Sequence, residues 1–141
     1  MASAEGAPLY LDSSAIVKLV VAEEESQALL DVISGRVLVS STLATAEVPR
    51  AARRIAQERD VPAHLLDGLD EELKRFALLA VDEVVLGIAA RFVDPFLRTL
   101  DAIHLASALS LDDLAEFVTY DDRQGARARR MGLTVALPGR A

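Results

Sequence analysis

The sequence has no cysteine and only two histidines among its 141 residues. Without cysteine there is no disulfide framework, no thiolate zinc site and no cysteine nucleophile. Aromatic side chains are scarce, limited to Tyr10, Tyr120 and four phenylalanines, which leaves little surface for stacking nucleic-acid bases. Seven glycines and five prolines beside 52% hydrophobic residues exclude a collagen-like or low-complexity chain and argue against disorder. Long apolar runs are also missing. The uncharged stretches Val37–Ala46 and Ala102–Leu111 fall well short of the ~18 residues a membrane helix needs. Met1–Pro8 has neither a basic nor an apolar region, so it does not read as a secretory signal. A soluble, cytoplasmic protein is expected.

Acidic residues outnumber basic ones by 22 to 15, for a net charge of −7 and a pI near 4.8. Such a chain does not adhere to polyanions over its whole surface. Any polyanionic partner must be held by local basic patches or through metal ions. The length fits one domain, 1–141, since a chain of roughly 150 residues buries about 70% of its unfolded surface.

Strands alternate with helices along the chain. Ala7–Leu11 reads as a strand running into a helix capped at Asp12-Ser13-Ser14. Helical spacing recurs over Glu24–Ser34, and Arg36–Val39 is a short β-branched strand. Thr42–Arg59 carries the stripe Ala44, Val48, Ala51 and Ile55, with Pro49 inside it predicting a kink or a late start. Pro62 opens a helix to about Ala77, followed by a strand at Leu78–Val81 and a helix at Val84–Phe92. Thr99 is placed to cap an apolar helix, Leu100–Leu111. A strand at Glu116–Tyr120, a helix at Asp122–Met131 and a last strand at Leu133–Leu137 complete the series. The alternation implies an α/β protein with a mostly parallel sheet and helices on both faces.

In such folds, ligands sit outside the carboxyl ends of the strands. Asp12 and Asp121 both fall there, each leading into a helix it could simply cap. Asp101 is harder to dismiss, because Leu100–Leu109 is otherwise nearly free of charge. A charge in such surroundings is costly unless paired or bound to metal, although a first-turn Asp also gains from the helix dipole. Glu47 lines up with Arg50 and Arg54 at helical spacing, so an exposed Glu–Arg pair would account for it alone.

Taken together with their flanks, the four acids resemble the signature of the PIN-domain nucleases, and most nearly the VapC toxins of bacterial toxin–antitoxin pairs. Leu9-Tyr-Leu-Asp12 with the helix that follows resembles the family's first strand and acid, and Thr45-Ala-Glu47 with Arg50 its second. Leu100-Asp101-Ala-Ile-His-Leu-Ala-Ser-Ala108 is similar to the third motif and is the most specific piece. Val118-Thr-Tyr-Asp121-Asp-Arg, followed by Arg130-Met-Gly-Leu133, resembles the fourth. Asp122 beside Asp121 leaves the fourth acid ambiguous, with Asp121 preferred because it follows Thr-Tyr directly. The likeness covers about residues 8–137.

The resemblance implies a single α/β/α sandwich with an acidic pocket at the strand ends. It also implies a metal-dependent endoribonuclease that leaves a 5′-phosphate and a 3′-hydroxyl. Asp12 and Asp101 would be the principal ligands of Mg²⁺, or of Mn²⁺ in its place. Glu47 would complete the site directly or through water, and Asp121 would hold a second ion or a metal-bound water. Crowded carboxylates favour this chemistry, because a hard cation relieves their repulsion. Ser13 and Thr119 are candidate donors to the carboxylates.

The resemblance further implies a cognate antitoxin, seated in a groove near the leucine-rich stretches Ala15–Ile33 and Leu65–Phe76, and a homodimer. His104 reads as a hydrogen-bonding or packing histidine, since no second His or Cys accompanies it to make a zinc site. Among the arginines flanking the acids, Arg123 is the first candidate for a phosphate contact and Arg50, Arg53, Arg54, Arg127, Arg129 and Arg130 follow. The alternative function is a catalytically silent PIN-like binding module, in which Pro49 misdirects Glu47. A receiver or Asp-x-Asp phosphatase fits poorly, since position 14 is Ser and the only lysines are Lys18 and Lys74.

Overall fold

The computed structural model of the protein describes residues 6–140; residues 1–5, part of the segment read as lacking a signal, and residue 141 lie outside the described residues. Five strands form the sheet: β1 (Leu9–Leu11), β2 (Leu38–Ser41), β3 (Phe76–Leu79), β4 (Glu116–Val118) and β5 (Val135–Ala136). Their order is β3-β2-β1-β4-β5, and every pairing is parallel. Seven helices connect and cover them: α1 (Ser13–Val20), α2 (Ser26–Ile33), α3 (Ala44–Glu58), α4 (Leu69–Leu73), α5 (Glu83–Ala90), α6 (Thr99–Leu109) and α7 (Asp122–Arg130).

Parallel strands are covered on both faces, so their side chains are apolar on both sides. Along β1, Leu9 and Leu11 pack with α1–α4 residues such as Ile16, Leu29 and Val48, whereas Tyr10 packs with Leu105 of α6 and Ala128 of α7. Val39 of β2 and Phe117 of β4 join Tyr10, while Leu38 and Val118 join the opposite cluster. The result is an α/β/α sandwich with α1–α4 on one face and α6 and α7 on the other. Tyr10 and Phe117 stack with ring centroids 5.4 Å apart, tying β1 to β4 beneath α6.

The order of the strands decides where a ligand can sit. From β1 the chain moves outward to β2 and β3, then returns to the far side of β1 for β4. The crevice beyond the carboxyl ends of β1 and β4 is therefore the topological switch point.

Several sequence expectations need correction. The helix expected from Pro62 to Ala77 is a 3₁₀ turn at Ala63–Leu66 and the short α4, separated at Gly68. Its expected end, Phe76-Ala77, instead pairs with Leu38 and Val39 as part of β3. Pairing across the sheet wins over the local apolar spacing. Thr99 does not cap α6 but is its first residue, and Arg98 occupies the cap without a side-chain bond. Pro49 neither delays nor ends α3, which starts at Ala44 and runs on through it. The carbonyl that loses its helical donor there belongs to Thr45, an exposed residue that water can serve.

Candidate active site

Asp12 ends β1 and caps α1, its Oδ1 accepting from the Ala15 amide at 3.2 Å. Capping does not exhaust it. Ser14 Oγ donates to Oδ1 and Thr119 Oγ1 to Oδ2, both at 2.6 Å. The residue is only 5% exposed, and burial pushes its carboxyl above the usual range although His104, Ser14 and Thr119 pull it down. Thr119 follows β4, so its bond to Asp12 stitches the two strand ends together at the switch point.

Asp121 lies two residues beyond Thr119 and caps α7, accepting from the amides of Arg123 and Gln124 at 2.9 and 3.2 Å. It lines the cavity described below. Asp122 instead starts α7 in an exposed position, 3.5 Å from Arg140, and is not among the lining residues. Of the two, only Asp121 lines the cavity.

Asp101 is in the first turn of α6, where the helix dipole favours a carboxylate. Burial raises its pKa and the Asp121 charge raises it further, which outweighs the opposing pull of His104. Gln124 of α7, itself 1% exposed, donates its amide to the Asp101 backbone carbonyl at 3.0 Å and joins the starts of α6 and α7.

Glu47 does not turn toward Arg50, as an exposed helical pair would. Its Oε1 accepts from Ser13 Oγ at 2.8 Å and from His104 Nε2 at 2.6 Å. Burial alone would raise the Glu47 pKa, but the bonds from His104 and Ser13 prevail and lower it. His104 is 2% exposed, and the Tyr10 hydroxyl lies 2.7 Å from its Nδ1. A continuous polar line therefore runs from β1 through α6 to α3. The reading of His104 as a hydrogen-bonding residue holds, and its partner is Glu47.

All four acids line one cavity of about 650 Å³ between α1, α3 and the starts of α6 and α7. Among the described residues, no three acidic or histidine side chains stand close enough together to hold a metal ion by themselves. An oxygen-only donor set distributed around a water-accessible space suits a hard cation. Mg²⁺ in particular binds through one or two carboxylates and keeps several waters. Of the cations in the cavity wall, Arg50 and Arg54 are secondary candidates in the sequence, while Arg123 is exposed and outside it. Sequence reasoning misses Ser14 and Gln124. A serine two residues beyond an N-cap Asp is a usable local signal, whereas Gln124 has none.

Residues 9–130, which include all four acids, match the family model of the PIN domain. The chain belongs to the PIN domain family. It is 46% identical over 135 residues to Ribonuclease VapC46 of Mycobacterium tuberculosis, covering 94% of this chain and 98% of the relative. It is also 37% identical over 139 residues to Ribonuclease VapC35 of the same organism, with 94% and 98% covered. Ribonuclease VapC47, likewise from that organism, is 36% identical over 139 residues, with 93% and 97% covered.

Two expectations follow for this PIN domain. With chelator present, Asp101→Asn stabilises the chain at neutral pH, by about 0.5 kcal/mol or ~2 °C after allowance for its partial exposure. A carboxyl whose folded pKa is raised favours folding only at low pH. Its contribution is lost as the pH rises through the ordinary carboxylate value toward the folded one. The gain from Asn therefore disappears near pH 4, and thermal melts across pH 4–8 check it. His104→Leu, which removes a partner from both Glu47 and Tyr10, destabilises by about 1–3 kcal/mol, measured by urea unfolding.

Proposed function

We propose that this chain is a metal-dependent endoribonuclease and the toxin component of a toxin–antitoxin pair. One observation carries the reading: four carboxylates from four separate segments line one cavity at the switch point of a PIN-domain sheet. Its relatives' naming as ribonucleases supplies the substrate class.

In this reading Asp12 and Asp101 are the principal ligands of Mg²⁺, or Mn²⁺ in its place. Glu47 completes the site directly or through water, and Asp121 holds a second ion or a metal-bound water. When bound, the metal supplies an activated water and neutralises charge developing on the scissile phosphate. The chain's own residues do the positioning. Ser14 and Thr119 fix both oxygens of Asp12, and Ser13 and His104 hold one oxygen of Glu47, leaving Oε2 without a hydrogen bond among the described residues. The silent-module alternative relied on Pro49 turning Glu47 away, yet Glu47 lines the cavity, which removes that ground.

The partners belong to the same proposal. Most of the leucines expected to face an antitoxin lie in or against the core, including Leu29, Leu69 and Leu73, while Leu30 and Leu65 remain exposed for that partner. The larger apolar exposure is at Val84, Leu86, Val93, Phe96 and Leu100, on α5, α6 and the intervening loop. We assign this face to a second copy of the chain. Among the described residues no helix is long and apolar enough to cross a membrane, in keeping with a cytoplasmic toxin.

The deciding experiment is cleavage of total RNA by the purified chain in Mg²⁺ or Mn²⁺. Discrete products are expected, lost with chelator and reduced at least about 100-fold in Asp101→Asn. Cleavage that survives chelation would sink the metal mechanism. Light scattering on the same sample should give twice the chain mass; a strictly monomeric chain at micromolar concentration would reject the assigned dimer face.

A further inference from the structure

Four cations line the cavity: Lys18, Arg50, Arg54 and Arg140. Two are already committed. Lys18 and Arg140 both pair with Glu25, at 2.9 and 3.2 Å, and both lie over the Tyr120 ring. The Glu25 carboxyl is held at about 2, chiefly by the Lys18 bond. Arg50 and Arg54, by contrast, are exposed and make no ion pair among the described residues. The ordinary partner of Arg50 would be Glu47 one turn earlier, but Ser13 and His104 hold that carboxylate.

Glu47, Arg50 and Arg54 occupy one face of α3, at positions i, i+3 and i+7. Along the helix axis the two arginines stand about 4.5 and 10.5 Å beyond Glu47, and so about 6 Å apart. That interval is comparable to one phosphate-to-phosphate step of an extended single strand. The wall beside them is apolar, formed by Val17, Ala51 and Ile55. Tyr120, the cavity's one tyrosine, already lies against Lys18 and Arg140. Base stacking is therefore a poor account of this groove, and backbone contact a good one.

We infer that Arg50 and Arg54 form a phosphate track that seats two successive phosphates of single-stranded RNA on one side of the scissile bond. The strand thereby runs along α3, away from the acids. This deepens the ribonuclease reading and rests on it. Guanidinium groups fit the role, since they present paired donors to phosphate oxygens. Without such contacts a chain of net charge −7 repels its substrate.

The test separates binding from cleavage. Fluorescence anisotropy with labelled 12-nucleotide oligouridine, in chelator and across a KCl series, reads binding without turnover. Arg50→Gln and Arg54→Gln should each raise Kd about fivefold and lower the salt slope by about 0.7. Lys74→Gln, an exposed cation outside the cavity wall, should change neither. In Mg²⁺ the two cavity variants should raise KM and spare kcat. If oligouridine binding and its salt slope are unchanged in the double variant, or if Lys74→Gln has an equal effect, the track is wrong. Wild-type binding without cleavage would count against the nuclease reading while leaving the track intact. Loss of antitoxin capture in the double variant, with RNA binding unchanged, would assign the groove to a protein partner and overturn the track.

Discussion

The hydrogen bond from His104 to Glu47, 2.6 Å long, decides how the cavity is built. Glu47 sits on a helix surface with arginines three and seven residues ahead, and left alone it would pair with the nearer, Arg50. His104 offers a closer partner, and the imidazole is held in place by burial and by the Tyr10 hydroxyl behind it. Ser13, at the start of α1, closes the arrangement with its own bond to the same oxygen. One contact thus orients the carboxylate, joins α3 to α6 and, through Tyr10, to β1, and leaves Arg50 uncommitted.

The central strand underpins this geometry. β1 lies in the middle of the sheet, and all three of its residues are fully buried. A strand so enclosed cannot slip register, because a shift of one residue would exchange Tyr10 for a leucine beneath His104. The positions of Asp12 and His104 are therefore set by the core. Thr119 does the equivalent at the end of β4 by reaching across to Asp12. Asp12 and Asp121 lie just beyond these two strands, so rigid strand ends set where both carboxylates stand.

Much of this was legible in the sequence. The alternation of strand and helix indicated the parallel sheet with helices on both faces, and the resemblance of the four acid motifs to the PIN-domain nucleases implied the acidic pocket. Asp12 and Asp121 were visible as strand-end acids, and Asp101 as the charge in an apolar helix. The misses have one physical character. Phe76-Ala77 reads as helix locally and becomes strand through pairing with β2. Glu47 reads as a surface partner of Arg50 and becomes a partner of His104, 57 residues away. Gln124 carries no local signal, and only the packing of α7 against α6 gives it a role. Short-range patterns report propensity, and these residues are decided by contacts distant in sequence.

The distribution of ion pairs separates a site from a merely acidic surface. Among the described residues, lysine and arginine pair with Glu23, Glu25, Glu71, Glu72, Asp94 and Asp122. None pairs with Asp12, Glu47, Asp101 or Asp121, although four cations line the same cavity. The cavity acids receive hydroxyls, amides and one imidazole instead. Hydrogen bonds orient these carboxylates with no arginine or lysine to cancel their charge, and burial first and the Asp121 charge second hold Asp101 above its ordinary value. Leaving both signs of charge uncompensated in one cavity costs stability, a cost the fold bears where the proposed cation and phosphate would bind.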